Sequence, residues 1–198
     1  MSRGLLIALV VIVVLVGGIA AWAISVNNQL VVLDQGVNEK WAQVQNVYQR
    51  RADLIPNLVE TVKGFAAQER TVLEEVIKAR ASATQIKVTP ELLNDPAALK
   101  KFQEAQGELS GALSRLLVTV ERYPELKSNQ NFLALQSQLE GTENRIAVER
   151  RRFNEAVQEY NTRLALFPGT IVARLAGFRP KAFFEAAPDA ATPPKVKF

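Results

Sequence analysis

The chain opens with an apolar block and continues as an apolar stripe. Leu5–Ile24 (LLIALVVIVVLVGGIAAWAI) is a run of twenty residues without a charge. At a helical rise of about 1.5 Å per residue it reaches across about 30 Å of hydrocarbon. From Val31 onward apolar residues recur at intervals of three and four: Val37, Trp41, Val44, Tyr48, Ile55, Leu58, Val62, Phe65, Leu73 and Val76. That is the period of packed helices. Read as one helix to Thr84, this stretch would be roughly 80 Å long, with a kink at Pro56, which removes a backbone hydrogen bond, and a second soft point at Gly64. A reversal at Pro56 is the alternative.

Thr84–Asp95 (TQIKVTPELLND) interrupts the stripe, and Asp95–Pro96 reads as an N-cap followed by proline at the first helical position. The next helix carries Leu99, Phe102, Gln106, Leu109, Leu113, Leu116, Val120 and Tyr123, and Pro124 stops it. Its single polar seam residue, Gln106, is suited to fixing register. The last long helix, about Asn129–Phe167, sets Phe132, Leu135, Leu139, Thr142, Ile146, Glu149, Phe153, Val157, Tyr160, Leu164 and Phe167 in alternating steps of three and four before Pro168–Gly169 ends it. No strand pattern is visible. The expected fold is all-α: a transmembrane helix at 5–24 behind a short flank (1–4), then an elongated antiparallel bundle over 25–185. The bundle has three long helices, or four if the chain reverses at Pro56. It includes a short helix at 170–184, and 186–198, rich in Ala and Pro, reads as a disordered tail.

The apolar block has a competing explanation as a signal peptide, since Ala21–Trp22–Ala23 fits a small-x-small cleavage pattern. The run continues smoothly through that point to Ile24, and Trp22 near its end suits a membrane interface. The block therefore reads as an uncleaved single-pass anchor. Gly17 and Ala21 form a small-xxx-small pair through which two spans could pack. Arg3 before the span and Asp34, Glu39 and Lys40 after it place the N-terminus in the cytoplasm by the positive-inside rule.

Composition narrows the chemistry. With no His and no Cys, zinc sites, thiol nucleophiles, disulfides, haem ligation and imidazole catalysis are all excluded. The net charge of +4 is too modest for a nucleic-acid partner, which would want a denser basic face. Paired carboxylates such as Glu140 and Glu143, or Glu74 and Glu75, could bind a metal in a bundle, but the Glu-x-x-His pattern is impossible here. There is no phosphate loop and no serine nucleophile elbow. No catalytic, metal or cofactor residue is assigned.

Two clusters stand out. Arg50 and Arg51 precede Pro56, where a freed carbonyl and two cations could mark an anion site. Alternatively the arginines pair with carboxylates such as Asp53 or Glu149; Glu149, at a seam position, needs a partner, and Arg51 is the candidate. The second cluster is Gly169–Phe184 (GTIVARLAGFRPKAFF), where Arg174, Phe178, Arg179 and Lys181 form a candidate interaction surface for lipid or protein; the plainer reading is a short helix closing the bundle. With three long helices this segment ends at the pole far from its own anchor. With four it returns to the membrane.

Tyr48–Ala81 (YQRRADLIPNLVETVKGFAAQERTVLEEVIKARA) and Tyr123–Asn161 (YPELKSNQNFLALQSQLEGTENRIAVERRRFNEAVQEYN), followed by Phe167–Gly169 and Gly177–Phe178, resemble the LemA family over roughly Val31–Phe184. The resemblance implies a membrane-anchored, antiparallel long-helix bundle. It supplies no catalytic residues. One branch of the family is associated with building magnetosome membranes, and the family's usual topology puts the short N-terminus outside, opposite to the charge rule, so the side of the soluble domain stays open. The expected function is a non-enzymatic, single-pass scaffold in a bacterial plasma membrane that self-associates and organises membrane or recruits partners, namely lipid, its own copies and an unidentified protein. The alternative is a tethered receptor or adaptor for an anionic ligand or acidic peptide, bound at Arg50, Arg51 and Pro56.

Overall fold

A computed structural model describes residues 3–66, 68–86 and 89–185; the tail expected at 186–198 lies outside them. Among the described residues the chain is helical with no strand. The helices are α1 (Arg3–Phe65), α2 (Arg70–Gln85), α3 (Pro96–Val120), the single turn α4 (Pro124–Lys127), α5 (Gln130–Ala165) and α6 (Gly169–Ala176), with a 3-10 turn at Pro90–Asn94. The expected all-α architecture holds, and four of these helices are long.

The first helix differs from expectation at both ends. It begins at Arg3, ahead of the apolar block, and runs on through Pro56 without ending there. The chain reverses instead at Ala66–Glu69, just past Gly64, where the Ala66 amide closes on the Val62 carbonyl and the Glu69 amide on that of Ala66. Pro56 is tolerated because of what faces it. Proline has no amide hydrogen, so the carbonyl four residues earlier, that of Ala52, loses its helical partner. Arg80 of α2 donates its Nε–H to this oxygen at 2.8 Å. The proline thus leaves a docking point for the returning helix.

The other boundaries follow from local chemistry. Asp95 caps α3 by accepting from the Ala97 and Ala98 amides at 2.9 and 3.2 Å. The Asn129 side chain does the same for α5, accepting from Asn131 and Phe132. At the reversal, Glu69 accepts from the Tyr123 hydroxyl at 2.7 Å and pairs with Arg122 at 3.2 Å. The short C-terminal helix is shorter than the expected 170–184: Gly177, at φ 80°, ends it in the left-handed conformation that favours glycine.

Contacts divide the chain into two compact units, and α1 and α5 contribute to both. The first unit takes the residues up to Glu39 and Glu155–Pro180; Val26, Leu30, Val157, Tyr160, Leu164, Val172 and Ala173 are buried in it. The span itself, within α1, carries an apolar window long enough to cross a membrane, with none of it buried. The second unit, Lys40–Asn154 and the residues from Lys181, is a four-helix core of Ile55, Leu58, Val62, Leu73, Val76, Leu109, Leu113, Leu116, Phe132 and Leu139. Beside this core Trp41 packs on Phe102, Phe153 and Phe184 with ring centroids 5.4–5.9 Å apart.

The extra reversal changes the parity of the chain. Phe167, at the end of α5, meets Trp22, at the end of the span, with centroids 6.2 Å apart. The segment that follows therefore starts beside its own anchor rather than at the far pole.

The Pro56–Arg80 pairing is testable by a double-mutant cycle. Arg80→Met strands a buried carbonyl in the native background and should cost about 1–2 kcal/mol in urea unfolding. In a Pro56→Ala background the amide of residue 56 takes over that carbonyl, and the same change should cost far less. Strictly additive effects would contradict the pairing.

Candidate functional site

Arg51 falls on the core stripe of α1, between Tyr48 and Ile55, and is 1% exposed. A guanidinium in such a place must be neutralised and hydrogen-bonded. Its Nη1 donates to Glu143 of α5 at 2.6 Å and to the Ser110 hydroxyl of α3 at 2.8 Å. Its Nη2 donates to the side-chain oxygen of Gln106 and, at 3.4 Å, to that residue's carbonyl. Gln106 turns its amide nitrogen to the Ala83 carbonyl of α2 at 3.4 Å. The Tyr48 ring lies 5.2 Å from the guanidinium carbon, and burial pushes the Tyr48 phenol above its usual range. One cation on α1 thereby ties together all four long helices of the second unit.

A cavity of about 340 Å³ opens over this cluster. Lys100 and Arg150 line it, but so do Glu104 and Glu185, and the charge of Arg51 is already matched by Glu143. The arrangement is a cross-brace more than an anion receptor. The other residues singled out in the sequence are placed separately. Arg50 is exposed, and so is Pro56, whose freed carbonyl is an acceptor that draws a cation, Arg80. Glu149 pairs with Arg152 at 2.8 Å and not with Arg51; a seam carboxylate three residues from an arginine finds its partner on its own helix. Asp53 accepts from Gln49. Glu140 accepts from Gln136, so Glu140 and Glu143 serve different partners. Among the described residues no group of His, Cys, Asp and Glu is assembled to hold a metal.

The segment after α6 is not a surface helix. It is extended, and two side-chain amides clasp it as a neighbouring strand would. Asn154 exchanges two 2.9 Å hydrogen bonds with the backbone of Phe184, and Gln103 exchanges bonds of 2.7 and 3.2 Å with that of Glu185. Arg150 adds a bond to the Glu185 carbonyl and lies 4.6 Å over the Phe184 ring. Phe184 is a core residue of the second unit. The four residues of the candidate interaction surface separate: Arg174 and Arg179 are exposed and Phe178 half-buried in the first unit, while Lys181 belongs to the second.

In the first unit the last turn of the span, with Ala21, begins an open groove of about 1050 Å³ between α1 and the end of α5. Gly17 lies one turn earlier on the same side of α1, with nothing in contact where a side chain would be. Arg163 donates to the Gln29 side chain across the helix pair. Gly169 is held against α5 so closely that a Cβ would sit 2.1 Å from the Arg163 carbonyl, which requires glycine at the third position of Phe167–Pro168–Gly169. The Tyr160 hydroxyl donates to the Arg179 carbonyl at 3.1 Å; burial, then the charge and hydrogen bonding of Asp34, holds this phenol far above the usual tyrosine range.

A helix apolar and long enough to cross a bilayer, running directly into a bundle of long helices, defines a membrane-associated helical protein. The chain belongs to the LemA family, whose family model matches residues 40–198. It is similar to magnetosome protein MamQ 2 of Paramagnetospirillum magneticum, 28% identical over 210 aligned positions that cover 98% of this chain and 77% of the relative. It is likewise 28% identical to magnetosome protein MamQ of Magnetospirillum gryphiswaldense, over 84% of this chain and 67% of that protein.

Two predictions follow the geometry of these clusters. Removing Glu143 (Glu143→Leu) leaves the Arg51 charge buried and should cost about 3 kcal/mol. Arg51→Met should cost less, because the Glu143 side chain, 41% exposed, can turn to water; the reverse order in urea melts would contradict the brace. Tyr160 is raised, so its contribution to stability is present below about pH 10 and lost as pH climbs beyond, where only the unfolded phenol ionises. Tyr160→Phe should flatten the alkaline fall by up to about 1.4 kcal/mol per pH unit; an unchanged slope would contradict it.

Proposed function

We propose that this protein is a non-enzymatic, single-pass scaffold of a bacterial inner membrane that self-associates through its membrane-proximal part and organises the membrane or recruits partners. The observation that carries the reading is the continuity of α1. One helix supplies the span, whose apolar window is unburied, and the core stripe of the bundle up to Phe65. No loop separates the span from the bundle along α1. The polar cluster at Arg51 supports a structural role, since its hydrogen bonds run between helices of the same chain. The relatives' names as magnetosome proteins fit a role in membrane organisation. A tethered adaptor is the second reading, favoured by the cavity above Arg51; the matched charges on its rim weigh against an anionic ligand.

Full-length protein in mild detergent should run as assemblies well above the monomer mass of 21.9 kDa by light scattering. Gly17→Leu, which fills the space needed for close approach of two spans, should shift the population towards monomer. A strictly monomeric native protein would sink the scaffold reading and favour the adaptor.

A further inference from the structure

The first unit carries two exposed surfaces that complement one another. One is the groove, whose lining includes Ile24, Val32, Leu33 and Leu166 with Glu155 and Glu159 along it. The other is the outer side of α6. Gly169, Val172 and Ala173 face inward, which leaves Ile171 and Leu175, one turn apart, with Arg174 beside them; Leu175 is 85% exposed. The groove is mainly apolar and sets two carboxylates against one arginine, Arg163, so a basic, apolar helix face matches it in charge and in character. The helix is also short enough to lie within the groove. The groove follows α1 from Ala21 to Leu33, about 18 Å, and the eight residues of α6 span about 12 Å.

Depth is the deciding constraint. The groove starts at the end of the span and reaches down to Leu33. The α6 segment starts beside Trp22 through Phe167 and comes down to Tyr160 and Asp34 through the Arg179 carbonyl. Copies anchored in one membrane hold both surfaces at the same height, so they can meet by moving in the plane. A chain cannot use its own α6 for this, because the inner face of that helix is already buried in its own unit and the groove lies on another side. On α5, Glu159, Arg163 and Leu166 line the groove while Tyr160 and Leu164 are buried.

We propose that the groove of one copy receives the Ile171–Arg174–Leu175 face of α6 from the next copy, with Arg174 directed to Glu159. The inference rests on the self-association reading and specifies its contact. Two different patches meet, so the contact is head-to-tail, and repetition in the plane gives closed rings or open rows in place of two-fold dimers.

The chain has no cysteine, so introduced pairs can be read without background. Full-length protein carrying both Val32→Cys and Leu175→Cys, oxidised in native membranes, should give a ladder of dimers, trimers and higher species. Single variants should stay uncross-linked alone and give only dimers when co-expressed. Glu159→Arg should lower the ladder about tenfold, and Arg174→Glu in the same chain should restore it. Dimers from Leu175→Cys alone would overturn the head-to-tail contact. Assemblies seen by light scattering without any Val32–Leu175 cross-link would overturn the groove assignment, leaving the groove to lipid and self-association standing. Monomers throughout would overturn both.

Discussion

The bundle depends on one buried charge. A guanidinium placed on the core stripe of a helix cannot be left unmatched, and the cost of stranding it exceeds what any single apolar contact returns. Arg51 therefore dictates where Glu143, Ser110 and Gln106 must stand, and with them the register of α3 and α5 against α1. Gln106 passes the constraint to α2 through the Ala83 carbonyl. Apolar seams of three-and-four spacing tolerate sliding by a turn; this polar cluster does not. Its hydrogen bonds fix one alignment among several that hydrophobic burial alone would allow.

A second polar device works by subtraction. Pro56 removes one amide hydrogen, and the orphaned Ala52 carbonyl becomes the place where Arg80 fastens α2 to α1. Towards the C-terminus the same economy of polar groups recurs, with Asn154 and Gln103 holding the extended backbone at Phe184 and Glu185. In each case a side chain satisfies a backbone group that regular helix cannot reach. These contacts are long-range in sequence.

Much of this was legible in the chain. The apolar block, the stripes of three and four, the Asp95–Pro96 cap and the polar seam residue Gln106 all announced themselves by spacing, because helix period and capping are local properties. Family resemblance was legible too, in the stretches around Pro56 and before Gly169. The reversal at Ala66–Glu69 was not: the stripe continues across it from Phe65 to Leu73, and only Gly64 hinted at a break. That one omission carried the parity error for the segment after α5. Arg51's true partner was hidden because Glu143 lies off the seam read for α5, whereas Glu149, on that seam, is served by Arg152 on its own helix. The place of Phe184 was left open between closing the bundle and an exposed face, because the clasp that buries it joins residues far apart in sequence.

The proposed scaffold requires copies to associate in the plane of the membrane. The most direct measurement is energy transfer between donor- and acceptor-labelled full-length protein reconstituted in lipid vesicles, followed as lipid dilutes the protein. Specific association predicts transfer that persists at high dilution, where chance proximity is negligible. Transfer that falls in proportion to surface density and vanishes on dilution would contradict it.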